Sequence, residues 1–162
     1  MARGCMTVHK VPEERPSEVR SAIMRAVPRK DSKPEMAARK ALHHLGYRFR
    51  LHRADLPGTP DVVLPKHGVA IFIHGCFWHR HSGCRLVSSP RTRAEFWQAK
   101  FDRNVQRDAL AERALQALGW RVLVIWECET RNSALLSELL ERKLTRCLPN
   151  LDPGCSNTAE RH

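Results

Sequence analysis

The sequence predicts a single α/β domain, a mixed β-sheet with helices on both faces. Three observations lead there. The chain has 162 residues, which is one domain's worth by length and enough to bury roughly two-thirds of the surface an unfolded chain exposes. Hydrophobic residues make up 42% and charged residues 28%, a balance that excludes collagen, a coiled-coil rod and a wholly disordered chain. Helix-periodic segments also alternate with short apolar runs, in the order helix, three or more strands, helix, strand, helix.

Taken in order, residues 1–15 mix Pro, Glu and Arg without periodicity and read as a flexible arm. Ser17 to Ala26 reads as a short helix ending before Pro28. Asp31-Ser32-Lys33-Pro34-Glu35 is a helix start: Ser32 caps, Pro34 suits the first turn, and Glu35 completes a capping box. That helix runs through Leu42 and stops at Gly46, a left-handed C-terminal position. Tyr47 to Leu51 alternates with period two and predicts a strand. Leu56-Pro57-Gly58-Thr59-Pro60-Asp61 is a turn that delivers Asp61 to the strand Val62-Val63-Leu64. Lys66-His67-Gly68 turns the chain, and Val69 to Ile73 returns. Residues 74–92 form a loop. Arg93 to Leu118 has helical periodicity and ends at Gly119, Arg121 to Trp126 is a further buried strand, and Asn132 caps a last helix from Ser133 to about Leu148. The predicted domain spans residues 16–148, and residues 149–162 read as a disordered tail.

Charge gives the first functional clue. Lys+Arg total 28 against 17 Asp+Glu, a net charge of +11. Such an excess favours a polyanionic partner, above all nucleic acid, because bound cations release condensed counterions. It is spread over Arg15–Arg53 and Arg80–Arg121, as on the face of a folded domain. No apolar run approaches the ~18 residues of a membrane span, and the N-terminus lacks a signal peptide's apolar stretch. The expectation is a cytoplasmic protein with no membrane partner.

Six cysteines are present. In a cytosolic chain metal ligation is a better default than disulfides. Cys76, His81 and Cys84 form C-x4-H-x2-C, and thiolate and imidazole at such spacing suit tetrahedral zinc. The fourth ligand must come from elsewhere, and Cys128, just past the strand Arg121–Trp126, is the choice. Cys5, Cys147 and Cys155 read as free thiols.

Asp61 and the run Ile73-His74-Gly75-Cys76-Phe77-Trp78-His79 carry the remaining chemistry. A lone Asp after Pro is usually a turn residue. Here it opens an apolar strand whose partner strand ends in two histidines, so a carboxylate and two imidazoles can meet at one sheet edge. That is a kit for metal-assisted phosphodiester cleavage, with oxygen ligands for Mg²⁺ and an imidazole to deprotonate water. His79 reads equally as an extra zinc ligand or a surface polar group, and His74 as a structural hydrogen bonder. Phe77 and Trp78, consecutive aromatics between metal-type ligands, cannot both face one core. Projecting beside a cationic surface, they suit stacking on bases or wedging between base pairs. Trp97 is a third such ring or a core residue.

The blocks Asp31-Ser32-Lys33-Pro34-Glu35, Leu56-Pro57-Gly58-Thr59-Pro60-Asp61 and His74-Gly75-Cys76-Phe77-Trp78-His79, with Arg91-Thr92-Arg93-Ala94-Glu95-Phe96-Trp97 and Gly119-Trp120-Arg121-Val122 through Trp126-Glu127-Cys128, resemble the very short patch repair (Vsr-type) endonucleases. The resemblance is collinear from about Ser21 to Glu129. It implies a restriction-endonuclease-like fold and Mg²⁺-dependent nicking of one strand of double-stranded DNA. The resemblance implies that the nick falls 5′ to the T of T:G mismatches that arise when 5-methylcytosine deaminates. It implies that Asp61 and the backbone carbonyl of Ile73 ligate Mg²⁺, that His79 is the general base, that His74 helps hold water or phosphate, and that Glu35 is an outer carboxylate reaching metal-bound water. Phe77, Trp78 and Trp97 become a wedge beside the mismatch, and Met24 meets the minor groove. Cys76, His81, Cys84 and Cys128 become structural Zn²⁺ ligands, with a His–Cys spacing one residue longer than the family's usual one. The resemblance further implies a monomer in bacterial cytoplasm, acting at the nucleoid, with mismatch-repair proteins as partners. Two other classes stay open: a restriction-type endonuclease on unmismatched or modified DNA, and a non-catalytic zinc-stabilised DNA-binding module.

Overall fold

The computed structural model describes residues 30–90 and 92–147. The expected arm at 1–15, the helix Ser17–Ala26 with Met24, and the tail at 149–162 lie outside them.

The chain enters through helix α1, Lys33–His44. Ser32 stands at its N-cap in extended conformation and Glu35 follows three residues on. The Glu35 carboxylate accepts from the Ser32 hydroxyl at 2.8 Å and from the Asp31 and Ser32 amides at 3.0 and 3.4 Å. The helix ends as glycine dictates. Gly46 has φ +80°, a conformation that costs a residue with a Cβ but not glycine, and the next amide, Tyr47, bonds back to the Leu42 carbonyl at 3.0 Å.

A four-stranded mixed sheet follows, in order β1-β2-β3-β4. It comprises β1 Arg50–Leu51, β2 Val62–Leu64, β3 Val69–His74 and β4 Arg121–Trp126. β1 and β3 each pair antiparallel with β2, while β3 and β4 run parallel in a register that sets Ile73 opposite Ile125 and His74 opposite Trp126. The predicted strand Tyr47–Leu51 is therefore shorter than its alternation suggests. Tyr47 gives its amide to helix termination, Tyr47 and Phe49 pack on the core from unpaired chain, and only two exposed residues reach the ladder. The β2–β3 turn is a 3₁₀ turn, Pro65–His67, closed by Gly68 at φ +62°.

Helix α2, Ala94–Ala117, connects β3 to β4, and helix α3, Ser133–Cys147, closes the described chain. The Asn132 side chain caps α3, accepting from the Ala134 and Leu135 amides at 3.1 and 3.2 Å. On one sheet face Leu42 of α1 and Leu136, Leu140 and Leu144 of α3 pack against Val62, Leu64, Val69, Ile71 and Ile125. On the other, Leu115 of α2 meets Val63 and Ala70, with Leu56, Phe72 and Val122 around them. Neighbouring strand residues point to opposite faces and both faces are covered, which is why β2 is buried throughout. Helices thus cover both faces, as the sequence predicts.

The loop before β2 is seated by Gly58. Its φ is +73°, and a Cβ there would lie 2.5 Å from the Ala111 Cβ and 3.2 Å from the Phe72 ring. The loop can lie against α2 only because that atom is missing, and this close approach presents Asp61 at the head of β2.

Candidate active site and sulfur-nitrogen cluster

Asp61 is half-buried at the start of β2. Its Oδ2 accepts the Ile73 amide at 2.7 Å, which ties the carboxylate to the residue just before His74. Burial pushes the Asp61 carboxyl above the usual carboxylate range; the Ile73 amide opposes this, the Glu35 charge adds to it, and His52 and Arg39 counter it. Carboxylate oxygens are the donors hard divalent cations prefer.

Glu35 faces the same region from α1 and is only 5% exposed. Besides its helix-capping bonds it accepts from an Arg39 guanidinium nitrogen at 2.9 Å, and that nitrogen also lies 2.9 Å from His52 Nε2. Arg39 thus joins the Glu35 carboxylate to His52, whose amide bonds the Asp61 carbonyl at 3.3 Å.

His74 ends β3. Past Gly75 the chain makes one tight turn, with the Trp78 and His79 amides both reaching the Gly75 carbonyl at 3.1 Å. The turn folds His79 back onto His74, the two imidazoles stacking with centroids 3.9 Å apart and planes 9° apart. His79 Nδ1 bonds the Asp108 carboxylate of α2. A carboxylate can only accept, so Nδ1 carries that hydrogen and Nε2 is left to take a proton. Burial opposes ionisation of Asp108, but the bond to His79 and the surrounding positive groups outweigh it and hold the carboxyl below its ordinary value. Burial, reinforced by His79, pulls His74 down to about 4. His74 is therefore neutral near neutral pH and can exchange hydrogen bonds without adding charge.

Beside this pair lies an aromatic cluster. Phe77 meets Trp78, Trp97 and Phe101 edge-on, with centroids 5.0, 5.9 and 5.1 Å apart, and Trp78 lies 6.0 Å from Trp97. Phe101 is buried and anchors the group; Phe77, Trp78 and Trp97 are half-buried and Phe96 is exposed. The Lys100 ammonium sits 4.8 Å from the Trp78 ring centre and 5.3 Å from that of Trp97. Cationic and aromatic surfaces are thus superposed, a combination suited to nucleic acid.

On the other side of the same turn, Cys76, His81, Cys84 and Cys128 bring four ligand atoms within 4.8 Å of one another. His81 Nδ1 lies 3.6 Å from the Cys76 sulfur and 3.3 Å from the Cys128 sulfur. Tetrahedral bonds of about 2.3 Å to sulfur and 2.0 Å to nitrogen put such atoms about 3.5 Å apart, so the donors fit a small tetrahedral ion. Burial pushes the Cys76 thiol up to about 12, whereas the Leu86 amide at its sulfur lowers Cys84. Glu127 Oε2 accepts the Cys76 amide at 3.3 Å.

The structure therefore gathers the sequence-predicted residues into two neighbouring groups. Asp61 and Ile73 are bonded at one end of the two interior strands, where His74 follows Ile73 and carries His79 and Asp108 beside it. Glu35 stands near from α1, and Cys76, His81, Cys84 and Cys128 form the other group. Phe77, Trp78 and Trp97 assemble as one surface, while Met24 lies outside the described residues. Sequence reading missed Asp108, Lys100, Arg39 and Phe101. A signal for Asp108 existed. Phe101, Asp108 and Leu115 stand seven apart on α2, and the flanking two are fully buried, so an acid falls on the inward face.

The sequence is similar to known proteins. The family described as DNA mismatch endonuclease Vsr matches residues 15–85. Type II nicking enzyme V.XorIIP of Xanthomonas oryzae pv. oryzae is 48% identical over 127 residues, covering 78% of this chain and 93% of the relative. Type II nicking enzyme V.NmeAIP of Neisseria meningitidis is 41% identical over 123 residues, 76% of this chain and 87% of the relative. DNA mismatch endonuclease Vsr of Escherichia coli is 44% identical over 119 residues, 74% of this chain and 76% of the relative. At 41–48% identity over about three-quarters of its length to these relatives, the chain belongs to the Vsr family of DNA endonucleases.

Proposed function

We propose that this endonuclease nicks one strand of duplex DNA 5′ to the T of a T:G mismatch, the lesion left when 5-methylcytosine deaminates. Mg²⁺ is its catalytic ion and Zn²⁺ its structural one. One observation carries the reading. The Asp61 carboxylate is bonded to Ile73, the neighbour of His74, whose ring stacks on His79, whose Nδ1 is held by Asp108. That chain of contacts, at one end of the interior strands, supports reading Asp61 and the Ile73 carbonyl as metal ligands and His79 as the base. Relatives named nicking enzymes support a single-strand cut, and the E. coli relative named a mismatch endonuclease supports mismatched DNA as substrate.

In this reading the basic face holds the duplex and the Phe77–Trp78–Trp97 surface unstacks the step beside the mismatch, at a cost of roughly a few kcal/mol. A T:G step is already weakened, so deformability contributes to selection. Mg²⁺ held by Asp61 and the Ile73 carbonyl would polarise the scissile phosphate and stabilise the leaving oxygen. His79 Nε2 accepts the proton of the attacking water, while Asp108 fixes the ring and balances the charge it acquires. Neutral His74 orients water or phosphate through a hydrogen bond. Glu35, anchored by Arg39, offers an outer carboxylate beside Asp61. Zn²⁺ in the Cys76–His81–Cys84–Cys128 set would lock the 75–84 loop to the end of β4 and add folding free energy.

The same reading puts the enzyme in bacterial cytoplasm at the nucleoid, as a monomer with mismatch-repair proteins for partners. Its bacterial relatives support the setting, and no helix among the described residues is long and apolar enough to cross a membrane.

The test is a strand-resolved assay on labelled duplexes carrying T:G in randomised flanks, beside matched T:A controls. The expected result is one nick 5′ to the mismatched T, absent without Mg²⁺. Cutting of both strands of matched duplex would instead identify a restriction-type enzyme. Tight binding with no cutting by folded, zinc-loaded protein would identify a binding module.

A further inference from the structure

The two clusters share a wall, and it is one side chain. Trp126 is the last residue of β4 and lies opposite His74, the last residue of β3. Its indole stacks face-on upon His81, with centroids 4.2 Å and planes 3° apart. On its other contact it meets the His74 ring at 5.5 Å and 72°. His74 in turn stacks on His79 at 3.9 Å. Four rings therefore run without interruption from the sulfur-nitrogen cluster to the base: His81, Trp126, His74, His79.

The wall is fixed in place. The Trp126 amide donates to Glu129 Oε2 at 2.7 Å. Lys143 of α3 pairs with Glu129 Oε1 at 3.3 Å and donates to the Val124 carbonyl at 2.9 Å. The end of β4 is thereby clamped by α3 as well as paired with β3. An indole held at its backbone and covered on its face has little freedom, and ring contacts of this kind transmit small displacements because packed interiors have few voids.

We propose that Trp126 is a positioning residue through which occupation of the Cys76–His81–Cys84–Cys128 cluster sets the attitude of His74 and His79. The inference rests on the reading of His79 as general base and of the cluster as a metal site. When an ion fixes His81, the indole is pressed into one orientation; the edge of the indole then limits the tilt of His74, and the stack carries that limit to His79. The tetrahedral ion, on this view, orients a catalytic imidazole as well as stapling a loop.

Trp126→Leu and Trp126→Phe separate this role from simple packing. Both should keep one zinc per chain and bind the mismatched duplex as wild type does. At saturating DNA and Mg²⁺, Trp126→Leu should lower single-turnover nicking by about 10²-fold, the scale of a misplaced catalytic group, and Trp126→Phe should recover most of it. The His74 and His79 ring resonances in carbon–proton NMR spectra should move in the Leu variant and stay near wild type in the Phe variant. Full activity with unmoved resonances in Trp126→Leu would overturn the proposal, as would a loss of rate that only follows a loss of zinc or of DNA affinity. Should Trp126→Leu fail to fold, wild-type protein decides: exchanging zinc for the larger cadmium ion should shift the His74 and His79 resonances along with His81, and a shift confined to His81 would contradict the coupling. Absence of nicking by wild-type, zinc-loaded protein would sink the underlying reading instead, and the resonances would still judge the wall.

Discussion

The two clusters draw on one short stretch of chain and are built to opposite rules. Within His74–Cys84, His74 and His79 turn to one side and Cys76, His81 and Cys84 to the other. The sulfur-nitrogen set is complete once Cys128 arrives: four soft or borderline donors, mutually close, with no position left over. The Asp61 end of the sheet is looser. Asp61 has one oxygen bonded to the Ile73 amide, Glu35 is tied up by Ser32 and Arg39, and Asp108 holds His79. These side chains form no closed set of donors; in the proposed reading water and phosphate complete it. Closed sets suit structure and open sets suit chemistry. The tight turn at Gly75 lets one segment serve both, because it reverses the chain within four residues and sends adjacent side chains to different neighbours.

That contrast predicts unlike consequences of damage. The largest effect should come from the closed set. Cys128→Ala should lose zinc and with it much of a folding contribution on the order of 10 kcal/mol, visible as loss of cooperative thermal unfolding. Full zinc content in that variant would show that Cys128 is not a ligand. At the open edge the fold should survive and the rate should fall. His79→Ala should reduce nicking at saturating DNA by about 10²–10⁴-fold with little change in melting temperature, whereas a few-fold effect would make His79 a binding group.

A pH titration of stability sharpens the contrast further. The folded protein holds His74 at about 4, below its ordinary 6.5. Its stabilising contribution is whole above pH 6.5 and is lost as pH falls from there towards 4, because the unfolded chain takes up the proton first. The loss should reach at most about 3 kcal/mol. Urea unfolding of wild type and His74→Gln across this range should show the steeper decline in wild type, and parallel curves would mean that His74 is not buried neutral. The smallest effect should be that of Asp108→Asn. The amide keeps the shape but not the charge that fixes the His79 ring, and a loss of about 10–100-fold in rate, with unchanged binding of DNA, is the expected reading from single-turnover kinetics.

What the sequence revealed follows from how local each feature is. The α1 start was readable because Ser32 and Glu35 are three residues apart and cap each other's turn. The cluster was readable because Cys76, His81 and Cys84 lie within one loop and Cys128 follows a recognisable strand. The extent of β1 was not, since alternation at Tyr47–Leu51 says nothing of which amides helix termination consumes. Asp108 stayed hidden because its partner is 29 residues away and a lone acid on a charged helix reads as solvated surface. Arg39 was obscured in the same way: its link between Glu35 and His52 depends on how α1 docks over the sheet, which no spacing within α1 encodes.

Asp61 is the residue on which the chemistry turns, and the direct measurement pairs zinc content with Mg²⁺-dependent nicking of a T:G duplex in Asp61→Ala. The division of labour between the clusters predicts one zinc per chain, normal folding, retained binding of the duplex and no nicking above background. Nicking that persists in this variant would remove the carboxylate from the chemistry and contradict the central claim.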